Sequence, residues 1–386
     1  MVRLRVLLVS HVAGLDGGAE RSLLEQASGM HSLGTTDVEV VVPAEGDLSA
    51  ALAEAGVPTH VAPVPRWAPW EPDAAPPVAR SLVRDLSVAR RLGSSLAPAR
   101  RLLAAVAPDV VVTNTATVPT YALVARAAGI PHVWSVREFV RPEFHYLLGE
   151  PVSQRLIGRL SAAVVFNSDA VRRHFRPGVP LSKSVVVHPA VPLPAAAPAP
   201  RRTGGGLRLL LLGRMIAAKG AGIAIEGVAA ARRAGVEVSL TVVGPGAERD
   251  RSRLVTIAAE HGVAGHVDIR GFDPDPAGRM RQSDVVVVAS DAEAFGRVTV
   301  EALRNGRPVL ATRTGGSSEI VADGVNGLLI EPGDAADLGA KITVLAADPQ
   351  LLDRLTAAAA PSISARFLPE VQVRAFDAVL RSVAAR

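Results

Sequence analysis

Short apolar runs alternate with stretches of helical period from one end of the chain to the other. The runs predict strands over residues 4–10, 38–43, 109–113, 132–136, 163–166 and 185–188. The segment VPLPAAAPAPRRTGGG, residues 191–206, then breaks the pattern, because its prolines cannot sustain a ladder and its glycines make a helix costly. The alternation restarts with strands over 208–213, 237–243, 267–271, 284–289, 308–312 and 327–330. Strands separated by helices pair in parallel through right-handed crossovers. The expected fold is therefore α/β, with a doubly wound domain over 1–190, a linker over 191–206 and a second doubly wound domain over 207–364. A terminal helix over 365–386 is expected to cross back to the first domain. In such sheets ligands sit beyond the carboxyl ends of the strands, in a crevice that two facing domains place between them.

Composition narrows the function classes. The 386 residues are 48% apolar but only 3% aromatic, which suits sheet-and-helix layers of Ala, Val and Leu. Cysteine is absent, so disulfides, thiolate zinc sites and cysteine nucleophiles are excluded, and a cytoplasmic setting is expected. The opening MVRLRVLLVSHVAGLD lacks a small-residue cleavage site and reads as a first buried strand. No window approaches the roughly 18 uninterrupted apolar residues of a membrane-spanning helix. The formal charge of +5, carried mostly by arginine, favours anionic partners such as phosphates. With two tyrosines and eight phenylalanines, and no basic run interleaved with aromatics, a nucleic-acid partner is not expected. The basic, intermittently apolar stretch 77–103 reads either as a peripheral contact with the inner face of an anionic membrane or as the solvated face of helices.

The candidate chemistry concentrates in the second half. The predicted strand over 208–213 ends at Gly213 and is followed by Arg214, then Lys219 and Gly220, before a helix expected over 221–234. A guanidinium and an ammonium at a strand's carboxyl end can neutralise a diphosphate from two sides. Downstream, DAEAFGRVTVEALRNGRP places Glu293 in a loop and Glu301 inside a short helix over 297–305, which Gly306 caps and Pro308 stops. Carboxylates there suit sugar and ribose hydroxyls. The amides of Phe295, Gly296 and Arg297 are expected to open that helix and to attract phosphate.

Together these elements resemble the donor-binding half of the retaining glycosyltransferases of family 4, which have the GT-B fold of two Rossmann-like domains facing across a cleft. The resemblance is carried by Gly213, Arg214, Lys219 and Gly220, by Glu293, Phe295, Gly296 and Glu301, and by Gly315, Gly316 and Glu319 with the turn Gly324 to Gly327. It implies transfer of a hexosyl-type sugar from a nucleotide diphosphate sugar to a glycan, lipid-linked or small-molecule acceptor, with retention and without a metal or other cofactor. Arg214 and Lys219 would hold the diphosphate, Glu301 the ribose and Glu293 the transferred sugar, with Phe272 beside the nucleotide base.

On the acceptor side, HVAGLDGGAERSLLEQA resembles the family's amino-terminal element, with Gly17 and Gly18 ahead of a helix. Many relatives carry a histidine after the strand that ends PHVWSV; here Arg137 and Glu138 stand in its place, as acceptor contacts or as an ion pair with each other. Ser168 in NSDAVRRHF reads as a helix cap. Asp273-Pro274-Asp275 could hold a metal, but its proline-bound loop favours a turn. A dehydrogenase is disfavoured because Gly14, Gly17 and Gly18 do not form G-x-G-x-x-G. A nucleotide-sugar epimerase and a non-catalytic sugar-nucleotide-binding protein stay open as alternatives.

Overall fold

The computed structural model describes residues 3–15, 17–68, 78–139, 146–192, 204–363 and 365–385, with only the backbone of 78–83. Residues 193–203 of the expected linker, and Ser364, lie outside the described residues. The chain divides into two compact units, Met1–Ala190 with Arg366–Arg386, and Val191–Ala365.

The first unit runs β1 (Leu4–Val9), α1 (Gly18–Ser32), β2 (Thr36–Val42), α2 (Asp47–Glu54), β3 (Thr59–Val61), α3 (Val78–Val106), β4 (Val110–Thr113), α4 (Thr120–Ala127), β5 (His132–Val136), α5 (Glu150–Leu160), β6 (Ala163–Phe166), α6 (Asp169–Phe175) and β7 (Ser184–Val186). Among the described residues these strands form one parallel sheet in the order β3-β2-β1-β4-β5-β6-β7. Strands β4, β5 and β6 are buried along their whole length, as expected where helices cover both faces of a parallel sheet. The one strand that the apolar pattern does not predict is β3. It is a three-residue edge strand, partly exposed and carrying Thr59 and His60, so it has no continuous apolar run. On helix α3, Arg90, Arg91, Arg100 and Arg101 of the basic stretch are exposed.

The second unit runs β8 (Leu207–Leu212), α7 (Ala221–Arg233), β9 (Val238–Val243), α8 (Glu248–Glu260), β10 (Val267–Arg270), α9 (Pro276–Gln282), β11 (Val285–Val288), α10 (Arg297–Arg304), β12 (Val309–Thr312), α11 (Ser317–Ile320), β13 (Gly327–Ile330), α12 (Ala335–Ala347) and α13 (Pro349–Ala359). Its described strands form a parallel sheet in the order β10-β9-β8-β11-β12-β13. In each unit the order reverses beside the first strand, between β1 and β4 and between β8 and β11. Helices leave these strand pairs toward opposite faces, which opens a crevice at their carboxyl ends.

The same device clasps both seams at their amino ends. Asp284 accepts a forked pair from Arg208, Nε at 3.0 Å and Nη2 at 2.8 Å, and also takes the Arg208 amide at 2.9 Å. In the first unit Asp109 takes the Arg5 amide at 2.8 Å and lies 3.5 Å from its guanidinium.

The last helix, α14 (Pro369–Ala384), belongs to the first unit. Val373, Phe376, Leu380 and Val383 complete a core with Val6, Leu8, Leu23, Ala27 and Met30. Asp377 accepts from Thr36 Oγ1 at 2.7 Å and pairs with Arg381. Phe376 is fully buried, so Phe376→Ala should lower the unfolding free energy by about 3–5 kcal/mol. Chemical denaturation of the variant measures this directly, and a loss under about 1 kcal/mol would mean that α14 docks without carrying core packing.

Candidate active site

The best-defined cluster of the second unit stands at its strand-order reversal. After β8 the chain turns through Gly213 and the exposed Arg214 to Lys219; after β11 it turns through Ser290 to Glu293. Lys219 Nζ lies 2.7 Å from Glu293 Oε2, and Ser290 Oγ donates to the same oxygen at 3.3 Å. Burial pushes the Glu293 carboxyl up, but the Lys219 charge, the hydrogen bonds from Lys219 and Ser290 and the Gly296 amide together hold it below the usual range. Glu293 is thus kept ionised, with its side chain 19% exposed. The Gly296 amide, expected to await phosphate, is spent on Glu293.

The loop that carries Glu293 is laced to its surroundings. The Asp291 amide donates to Ala218 O at 3.1 Å, Thr314 Oγ1 to Asp291 O at 3.0 Å, and the Gly316 amide to Glu293 O at 2.7 Å. Gly315 has φ +61°, and a side chain there would strike the Glu293 carbonyl oxygen. The paired glycines therefore let two backbones meet and aim Glu293. Glu301 lies one turn into α10 with Arg297 Nε 3.0 Å away. Both line a recess of about 210 Å³ with Val191, Pro192, Met280 and Arg304. Phe295 is buried, whereas Phe272, beyond β10, is 68% exposed. Lys219 and Glu293 are in direct contact, while Glu301 engages Arg297 instead.

The Asp-Pro-Asp segment is consumed by structure. Asp275 caps α9 through the Gly278 amide at 2.7 Å, and Asp273 takes Arg279 Nε at 2.6 Å. Among the described residues, no group of three or more His, Asp and Glu side chains is arranged to hold a metal.

A second polar cluster occupies the reversal of the first unit. Glu138 is tucked under the end of β4, accepting from Thr115 Oγ1 and from the Ala116 amide at 2.7 Å on Oε1, and from the Arg137 amide at 3.1 Å on Oε2. Burial pushes its carboxyl up, against those hydrogen bonds and the Arg137 charge. Arg137 gives Nε to Asn114 and Nη2 to Gln26 at 3.0 Å. The expected alternative of a surface ion pair between the two side chains gives way to a clamp joining β4, β5 and α1. Gly17 and Gly18 begin α1, whose Glu20 Oε1 is 3.5 Å from His11 Nε2. Ser168 caps α6 through the Val171 amide at 3.2 Å.

His11, Arg66 and Asn114 belong to this cluster and carry no motif. Burial, then Arg66, pushes His11 down to about 3, so its ring is neutral. Burial lowers Arg66 below the usual arginine value, opposed by Glu138 and Glu20. The signal available in the sequence was position: His11 and Asn114 each follow a strand within two residues.

Two parallel Rossmann-like units, each with a polar cluster at its reversal point, define a GT-B protein. Two family models match accordingly, glycosyl transferases group 1 over residues 198–361 and the glycosyl transferase 4-like domain over residues 17–190. The chain belongs to the group 1, family 4-type glycosyltransferases. A lipopolysaccharide core biosynthesis glycosyltransferase of Rhizobium meliloti is 33% identical over 174 residues, 45% of this chain and 49% of that one. D-inositol 3-phosphate glycosyltransferase 1 of Catenulispora acidiphila is 32% identical over 267 residues, 62% of this chain and 63% of that one. The chain spans about half the length of the first curated relatives it matches. Among solved structures, Anabaena HepE with UDP superposes with a TM-score of 0.77 at 22% identity, covering 98% of this chain and 100% of that one.

The Lys219–Glu293 pair has a thermodynamic signature. A carboxyl held low in the folded state stabilises the fold above the ordinary carboxylate range, and that stability is lost as pH falls through the folded value. In Lys219→Met the burial of Glu293 loses its main counterweight, so its pKa rises. The destabilisation of the variant, followed by urea denaturation, should widen from about pH 4 to pH 7. A pH-independent difference would remove Lys219 as the cause.

Proposed function

We propose that this chain is a retaining glycosyltransferase that moves a hexosyl-type sugar from a nucleotide diphosphate sugar to a glycan, lipid-linked or small-molecule acceptor, without a metal. The observation that carries the reading is the Lys219–Glu293 contact at the β8–β11 reversal, with Arg214 on the same loop after β8. An ammonium has three donors; one satisfies Glu293 and the others are available to a diphosphate. Glu293, kept ionised, accepts from sugar hydroxyls and orients the ring, and Glu301 receives the ribose. Arg214 and Lys219 then stabilise the charge that develops on the departing diphosphate as the acceptor approaches the same face, which is electrostatic catalysis without a covalent intermediate. Together they supply the positive charge that a metal provides elsewhere.

The names of relatives point the same way. Those matched include a D-inositol 3-phosphate glycosyltransferase and a glycogen synthase, and HepE was solved with UDP-glucose. An epimerase would convert the donor without an acceptor, and a sensor would bind it without product.

Screening nucleotide sugars by thermal shift identifies the donor, since a bound ligand stabilises the fold. With that donor, Lys219→Ala should lower transfer by about 10²–10³-fold, and a chelator in excess should leave wild-type transfer unchanged. Retention is read from the anomeric configuration of the product by NMR. Loss of transfer in chelator would overturn the metal-free mechanism, and inversion would overturn the front-face one.

A further inference from the structure

We propose that Arg297 is a positioning residue for Glu301, and that through it the donor site selects a ribonucleoside diphosphate over its 2′-deoxy counterpart. This rests on the reading of Glu301 as the carboxylate that receives the ribose, and it concerns the residue that holds that carboxylate.

Helix stability does not explain the pair. Arg297 is the first residue of α10 and Glu301 the fifth. A cation in the first turn opposes the helix dipole, and an i,i+4 ion pair is weaker with its cation on the amino-terminal side. The contact forms nonetheless, with Arg297 Nε 3.0 Å from Glu301 Oε1.

Its surroundings are those of a ligand seat. Both side chains line the recess of about 210 Å³, whose wall includes Pro276, Ala277 and Met280 of α9. They are only 17% and 27% exposed, so solvent screens the pair less than it would a surface pair. The planar guanidinium therefore holds the carboxylate in one orientation before a ligand arrives.

The chemistry of a held carboxylate gives the selectivity. An ionised carboxylate only accepts, at about four lone-pair sites, and the Arg297 N–H takes one of them. Room is left for the two O–H donors that a ribose presents on adjacent carbons. A 2′-deoxyribose presents one. A carboxylate that turned freely would follow the remaining hydroxyl and lose little. One that is held does not follow, so the absent donor costs the whole hydrogen bond.

The test uses the full chain and calorimetric titration with three matched pairs: UDP, GDP and ADP, each with its 2′-deoxy form. The ribonucleotide that binds should do so roughly ten-fold or more tightly than its 2′-deoxy partner, because a hydrogen bond to a charged group separates them. Arg297→Leu should weaken the ribonucleotide and bring the ratio to within about three-fold. Arg297→Lys, which keeps the charge and a donor but not the planar fork, should fall between. Glu301→Gln combined with Arg297→Leu should weaken the ribonucleotide no more than Glu301→Gln alone. Each ratio compares two ligands on one variant, so an unfolded fraction lowers the number of sites and leaves the ratio intact. A ratio near one in the wild type, a ratio that Arg297→Leu leaves unchanged, or tighter ribonucleotide binding by Arg297→Leu sinks the proposal while the donor reading stands. Failure of all six nucleotides to bind overturns both.

Discussion

Each unit depends on how its first strand is joined to its fourth. In the second unit the forked Arg208–Asp284 pair clasps β8 to β11 at their amino ends, and the register of that seam carries through to the far end, where Lys219 and Glu293 emerge. A slip by one residue would displace Glu293 along the strand direction by about 3.3 Å and turn the strand's side chains to the opposite face. A contact of 2.7 Å does not survive such a slip. Arg5 and Asp109 repeat the arrangement at the β1–β4 seam, so both polar clusters hang from the same kind of anchor.

The two clusters then diverge in their electrostatics. At the β8–β11 reversal Arg214 is exposed and Lys219 is only half-buried, with its ammonium on Glu293. At the β1–β4 reversal Arg137 spans Asn114 on one side and Gln26 on the other, and burial with Arg66 close by keeps His11 neutral.

Much of this is legible in the chain itself. Parallel strands buried on both faces must be continuous apolar runs, which is why residues 132–136, 163–166 and 327–330 read as strands to the residue, while the edge strand β3, half exposed and three residues long, is invisible. The paired glycines at 315 and 316 and the Glu293 loop likewise show as a motif because close backbone approach admits no other residue. Partnership between distant side chains does not show. Glu138 was readable as an acceptor contact or as half of an ion pair, and only the folded chain brings Thr115 and the Ala116 amide onto its carboxylate. Arg66 and His11 belong to no motif, since what joins them is the convergence of separate loops.

The sequence by itself thus determined two doubly wound units, the places where each sheet reverses and the residues available at the second reversal, because periodicity, glycine and proline act locally. Tertiary structure decided the rest: that α14 completes the core of the first unit, that Lys219, Ser290 and the Gly296 amide converge on Glu293, and that Arg137 joins Asn114 to Gln26. Each of these depends on burial and on partners far apart in the chain, and desolvation acts only after the chain has folded around the group.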